Sequence, residues 1–257
     1  MTDDSYIDFQ CNCCGSRQHT PAAKVAREDA SCFGCGSSVR MRSIVHHVGM
    51  ALFQRPLILP DFPRAKGVRG LGMSDWDGYA TGFAKAFSYT NTFLHQDPRL
   101  DISRPLPDAH RGACNFVVCS EVLEHIAPPV QAAVDNLAAM LKPGGFLVLT
   151  VPYVQEQPTR EHFPDLTSGK LVEVEGAWGF VYRTRDGGLR LGTDLVFHGG
   201  PGDVLEMRQF GLADVLAMLE RAGFCEMRVQ AGDYRPFGIV NQHHDGLPVT
   251  AWKPATA

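Results

Sequence analysis

Two uninterrupted apolar runs, Phe116-Val117-Val118-Cys119 and Phe146-Leu147-Val148-Leu149-Thr150-Val151, constrain this chain more than any other feature. A strand with one face in water alternates apolar and polar residues, whereas a continuous run needs cover on both faces, as in a parallel sheet between helix layers. Between the runs, Val130, Ala133, Val134, Leu137, Met140 and Leu141 recur at helical spacing. Pro128 and Pro129 suit a helix opening, Lys142 a last turn, and Pro143-Gly144-Gly145 a stop. Strand, right-handed crossover helix and strand predict a doubly wound α/β domain. Ligands of such sheets bind beyond the carboxyl ends of the strands, which puts Ser120, Glu121, Pro152 and Tyr153 on the rim of the predicted site.

Five of the eight cysteines fall within the first 35 residues. Cys11 with Cys14, and Cys32 with Cys35, form two CxxC pairs, each followed by glycine. Two such knuckles supply four thiolates, enough to close a tetrahedral zinc site with no open position, so the predicted zinc is structural. A disulfide pair or a metal-free ribbon are the alternatives, and Cys13 is either spare or a substitute for Cys11. Cys114, Cys119 and Cys225 sit among apolar neighbours and are expected to pack as small core residues. Ser38 to Gln54 predicts a helix capped by Ser37 or Ser38, with His46 and His47 expected to be packed or solvated. The reading is of a zinc-ribbon-like module over 1–37, a connecting helix and linker over 38–64, and the α/β domain over 65–257 with an insertion at about 153–206.

A net charge of −4, and balanced charges across the first 48 residues, argue against binding to a phosphate backbone. No apolar segment approaches the roughly 20 residues needed to span a bilayer, and the start MTDDSYIDFQ is too polar for a signal peptide, so a cytoplasmic protein is expected.

The segment VVCSEVLEHI, the helix after it and LKPGGFLVLTVP resemble the fourth strand, following helix and fifth strand of class I S-adenosylmethionine (SAM) dependent methyltransferases. Leu123-Glu124-His125 and Leu141-Lys142-Pro143-Gly144-Gly145 are the most recognisable parts, and the likeness extends over roughly 65–152 and 207–253. It implies a doubly wound, mostly parallel seven-stranded sheet closed by an antiparallel pair. KGVRGLGMSDWDGY holds the place of the family's first strand and glycine-rich loop, so Gly70 and Gly72 are expected against the cofactor, with Ser74 where a third glycine is common. Asp97, after the candidate second strand Ser88 to Leu94, either holds the ribose hydroxyls or starts the turn at Pro98. The resemblance further implies that Asp101 accepts a hydrogen bond from the adenine amino group, that Ile102 packs on the ring, and that Cys119, Ser120 and Glu121 complete the SAM contacts.

Lys170 to Leu191 alternates around Gly176 and Asp186-Gly187-Gly188, which predicts hairpins in a segment long enough to roof the site. Tyr153, Phe163, Trp178 and Tyr182 are candidate walls for a small methyl acceptor, a hydroxyl or amine of a metabolite or sugar. SAM brings an activated methyl, so binding and alignment carry most of the task. His162 and His198 are candidates to remove an acceptor proton; His125 is a third, or only a brace for the following helix. A methyltransferase-fold scaffold that binds through the zinc ribbon, and a protein or RNA methyltransferase, are the competing expectations.

Overall fold

The computed structural model describes residues 5–255. β1 (Tyr6–Gln10) and β2 (Arg17–Pro21) form an antiparallel hairpin around the first cysteine knuckle. α1 (Val39–Phe53) starts on Ser38, whose hydroxyl accepts the Met41 amide, and ends on Gln54 in a left-handed conformation. Then come β3 (Arg69–Met73), α2 (Asp77–Ala86), β4 (Ser88–Thr92) and β5 (Cys114–Ser120), followed by a 3-10 turn at Leu123–His125. α3 (Gln131–Met140) runs directly into β6 (Leu141–Thr150), so Lys142 to Gly145 begin a strand instead of closing the helix.

The following segment folds as short strands: β7 (Tyr153–Val154), β8 (Arg160–Glu161), β9 (Leu166–Val174), β10 (Ala177–Thr184), β11 (Leu189–Gly192), β12 (Phe197–His198), β13 (Val204–Leu205) and β14 (Arg208–Gly211). The antiparallel meander of β9, β10 and β11 has the expected turns, with Glu175, Gly176 and Gly187 at positive φ. α4 (Leu212–Arg221), β15 (Glu226–Val229) and β16 (Val249–Trp252) return to the core.

The main sheet has the order β15-β16-β6-β5-β3-β4, parallel from β6 to β4, with β16 and β15 antiparallel at the other edge. The chain leaves β3 to one side for β4 and to the other for β5, so the crevice at the carboxyl ends of β3 and β5 is the switch point. Alternate residues of β5 and β6 feed two cores. Val117, Cys119, Leu147 and Leu149 pack with Leu137 of α3 and Val215 of α4. Phe116, Val118, Phe146 and Val148 pack with Val48 of α1, Phe83 of α2 and, from the cysteine module, Phe9 and Val25.

Six strands are hydrogen-bonded in this sheet among the described residues, one fewer than the seven expected. The missing strand would be Leu100 to Ile102. Its contact with the sheet edge is one parallel bridge, Phe93 to Arg99. Asp101 Oδ1 instead accepts the amide and hydroxyl of Ser103 at 2.9 and 2.6 Å, a local turn that competes with strand pairing.

Candidate functional site

A cavity of about 210 Å³ opens at the carboxyl ends of β3 and β4. Its walls come from Met73 and Ser74, Thr92 to Leu94, Leu100 to Ser103, and Val122 with His125 to Ala127. Asp101 and Ile102 lie in it as expected, and Asp101 is the one carboxylate among the described lining residues. Phe93 and Val122 add apolar wall to it, neither singled out from the sequence.

Six expected cofactor residues do not line this cavity: Gly70, Gly72, Asp97, Cys119, Ser120 and Glu121. Gly70 and Gly72 lie inside β3, one strand before any loop. A Cβ at Gly70 would collide with the Phe116 ring, and one at Gly72 with the Asp75 carboxylate and the Tyr89 hydroxyl. These glycines make room for aromatic packing across the sheet, and the turn itself is made by Ser74 at φ 56°. Asn91 fixes that turn, accepting the Asp75 amide at 2.8 Å and donating to the Asp75 carbonyl at 2.9 Å. Asp97 is exposed beyond the end of β4, outside the cavity lining. Pro98 and Arg99 carry the chain back from it, so it belongs to the turn.

At the end of β5, Cys119 is fully buried within the sheet and its thiol touches core, not crevice. Ser120 shares a 2.8 Å hydrogen bond with Thr150 and accepts Arg40 Nη1 at 2.6 Å. Glu121, at φ 54°, is paired with Arg27. Burial opposes ionisation of Glu121, but Arg27 with Arg40 outweighs it and holds the carboxyl below its ordinary pKa. Both arginines come from the N-terminal segments and were not legible as site residues. They also line a larger cavity, about 420 Å³, between residues 26–43 and 240–248.

The three candidate histidines converge. His162 Nε2 and His198 Nε2 contact the two oxygens of Glu206 at 2.8 and 2.9 Å, and the rings of His125 and His198 meet edge to face at 4.7 Å. The backbone of 205–208 is strapped to the turn after β5: Met207 N donates to Glu124 O at 2.7 Å and buried Arg208 donates to Leu123 O at 2.7 Å. Burial raises the Glu124 carboxyl to about 8 and lowers the His125 pKa. Glu124 and Glu206 were missed as participants; the signal for Glu124 was a carboxylate in an otherwise apolar turn.

The aromatic walls are a correction. Tyr153 is buried in the main core. Phe163 packs with Phe180, Leu166 and Leu205 in a small core of its own, with Tyr182 against it, and Trp178 packs on Phe197. None of the four lines the cavity, because a meander of short strands needs its aromatics to hold itself together.

In the N-terminal module the sulfurs of Cys11, Cys14, Cys32 and Cys35 converge, with Cys11 to Cys35 and Cys14 to Cys32 both at 3.7 Å and Cys32 to Cys35 at 3.6 Å. Tetrahedral zinc with bonds of about 2.3 Å sets its sulfurs about 3.8 Å apart, so the donor set fits that ion. Gly15 and Gly36, at φ 84° and 75°, close the knuckles by donating to the Cys11 and Cys32 carbonyls. Cys13 stays outside the set, its thiol held protonated by burial. All eight cysteines are unpaired, and no described helix is long and apolar enough to cross a membrane.

The family model described as "Methyltransferase domain" matches residues 14–180, more than half of the chain. No curated protein matches it. Among solved structures the chain is similar to CalS10, a SAM-bound amino pentose methyltransferase from Micromonospora echinaspora, at 20% identity over 85% of this chain and 93% of that one, with a TM-score of 0.46. It is also similar to the 1,6-didemethyltoxoflavin-N1-methyltransferase of Burkholderia thailandensis, at 15% identity over 84% and 78% with a TM-score of 0.43. For the CMeT domain of the citrinin polyketide synthase the values are 14%, 74% of this chain and a TM-score of 0.42, and the chain spans about half, 47%, of that one.

Proposed function

The chain belongs to the methyltransferase domain family, and from that premise we propose that it transfers a methyl group from SAM to a hydroxyl or amine of a small metabolite or sugar. The observation that carries this reading is the cavity beyond β3 and β4, with Asp101 as its one carboxylate among the described lining residues and His125 on its wall. Ile102 and Val122 supply apolar wall for a flat heteroaromatic ring. Asp101 supplies an acceptor for an exocyclic amine, and its hold on Ser103 keeps one oxygen in place. Arg40, fixed on Ser120 and Glu28, is a cation held at the end of β5 for a carboxylate such as that of the methionine end.

The chemical step asks little of the protein, since the sulfonium already activates the methyl. What this chain's residues contribute is alignment and a proton acceptor. His162, tied to Glu206, is our candidate for that last task, worth roughly 10²- to 10⁴-fold in rate. In the N-terminal module we propose a structural zinc on Cys11, Cys14, Cys32 and Cys35; the tetrahedral sulfur spacing supports it.

One observation favours the second reading, a binding scaffold without turnover: no carboxylate from β4 faces the cavity, among the described residues, to hold ribose hydroxyls. Calorimetric titration with SAM separates the two. Micromolar binding, lost in Asp101→Ala, supports the enzyme; no binding by the unmutated protein sinks it. With binding established, turnover against a metabolite extract compared with a peptide or RNA pool identifies the acceptor class.

A further inference from the structure

Glu124 has no solvent exposure, and neither of its carboxylate oxygens has a hydrogen-bond partner. Burying a carboxylate without compensation costs several kcal/mol, so a fold that places one there must recover the cost or leave the group protonated. What faces it is specific. His125 Nε2 lies 3.7 Å and His198 Nδ1 3.9 Å from the same oxygen, Oε1, and these three donor atoms all lie within 4.8 Å of one another.

The outer nitrogens of both rings are already engaged. His125 Nδ1 is 3.0 Å from the Leu205 carbonyl, which can only accept, so that nitrogen carries the proton and Nε2 presents a lone pair. His198 Nε2 is 2.9 Å from Glu206 Oε2, which likewise fixes the proton there and leaves Nδ1 bare. Glu206 is held in turn by His162. Two imidazole lone pairs and a carboxylate pointing into one space repel each other unless something positive stands between them. Outer partners that set the tautomer of each histidine are the usual surroundings of a metal ligand.

We propose that Glu124, His125 and His198 bind one divalent first-row transition-metal ion, with Glu206 and His162 holding the ligands from outside. Bonds of about 2.0 to 2.2 Å place neighbouring and opposite donors about 3 to 4.3 Å apart, so the site closes on such an ion by a few tenths of an ångström. Mixed imidazole and carboxylate donors suit Mn²⁺, Fe²⁺, Co²⁺ or Zn²⁺ and leave coordination positions open. The site is separate from the four cysteines, whose thiolates close their own shell. His125 also lines the cavity, so the proposed site adjoins it. Resting on the methyltransferase reading, the ligand that completes the shell is an acceptor oxygen. Its attack forms the O–C bond as the C–S bond breaks with both electrons left on sulfur, and the hydroxyl proton passes to the Glu206–His162 pair.

The test needs neither SAM nor acceptor, so its failure is distinct from failure of the methyl-transfer reading. Zinc-replete protein is titrated with Mn²⁺ and the free-ion paramagnetic resonance signal is followed, with a parallel Zn²⁺ titration by elemental analysis. One further ion per chain is expected. His198→Ala should weaken it by more than 10-fold and Glu206→Gln by about 10- to 100-fold. Glu124→Gln, isosteric and uncharged, should abolish it while melting no lower than the parent, since it removes a buried charge. Absence of a second Mn²⁺ or Zn²⁺ ion overturns the proposal and leaves Glu124 a protonated core acid. So does a second ion whose affinity survives all three substitutions.

Discussion

Arg27, from the stretch between the two cysteine pairs, grips Glu121 at the end of β5 with both terminal nitrogens, Nη2 to Oε1 at 2.7 Å and Nη1 to Oε2 at 3.3 Å. The same guanidinium donates through Nε to Gly246 O at 2.8 Å. One residue of the cysteine module therefore joins the crevice of the sheet to the loop before β16. Arg27→Ala should cost about 1 to 3 kcal/mol, less than a fully buried pair because both side chains keep some solvent contact. Glu121→Gln in that background should recover part of it. A double-mutant cycle by urea denaturation checks this, and additive losses would mean that the pair does not couple.

The zinc we propose bears on this pairing. Cys32→Ser is expected to remove the zinc by elemental analysis and to lower the melting temperature by several degrees, since metal affinity is coupled to folding of the module. With the module loosened, Arg27 and Arg40 lose their placement on Glu121 and Ser120, so SAM affinity should fall as well. A variant without zinc that melts and binds as the parent does would exclude a structural role for the metal.

Residues in and out of the cavity give a matched set. Asp101→Ala should weaken SAM binding by about 1 to 3 kcal/mol, the cost of stranding a buried amine, whereas Asp97→Ala should leave it unchanged. Gly70→Ala should act on stability, by about 1 to 3 kcal/mol through overpacking against Phe116 and Tyr89. Calorimetry and thermal melts on the three proteins check it; an Asp97 variant that binds as weakly as the Asp101 variant would contradict the assignment.

Asp75 predicts a pH effect. It is enclosed with the hydroxyls of Tyr79 and Tyr89, and burial raises it from its ordinary 3.8 to about 7. Between those values the unfolded chain has lost the proton and the folded one keeps it. The unfolded state then binds fewer protons, so stability falls as pH rises from about 4 to 7, by a few kcal/mol in all. Asp75→Asn retains an acceptor for a tyrosine hydroxyl and removes the titration. The difference in unfolding free energy between variant and parent should grow in the variant's favour from pH 5 to pH 8; a difference independent of pH would refute this.

The strands β5 and β6, the helices between and after them, the Ser38 cap and the clustering of four cysteines were legible because each rests on local pattern: a run, a spacing, a capping hydroxyl. The place of Gly70 and Gly72 inside β3 was not legible, for the opposite reason. Their neighbours Phe116 and Tyr89 lie far along the chain, and G-x-G in a strand next to bulky rings has the same spelling as G-x-G in a loop. The lost strand at Leu100 to Ile102 shows a short-range rival winning, since Ser103 offers Asp101 a turn closer than any strand partner. Glu124 gained its meaning only when the fold brought His198 and Glu206 to it, more than 70 residues along the chain.

Arg42 is wholly enclosed, donating to Ser37 O, Ser31 Oγ and Gly238 O and lying 4.6 Å over the Phe9 ring. Two of those partners leave the ribosome just before it, the third when synthesis is nearly over, 196 residues later. The cysteine module therefore gathers its ligands at the beginning of translation yet waits, one buried guanidinium short of an acceptor, until the last loop is made. Contacts of such long separation are slow to close and cannot form on a truncated nascent chain. A chain released early would carry a completed set of thiolates beside an open, apolar flank of α1, the form that chaperones and proteases recognise.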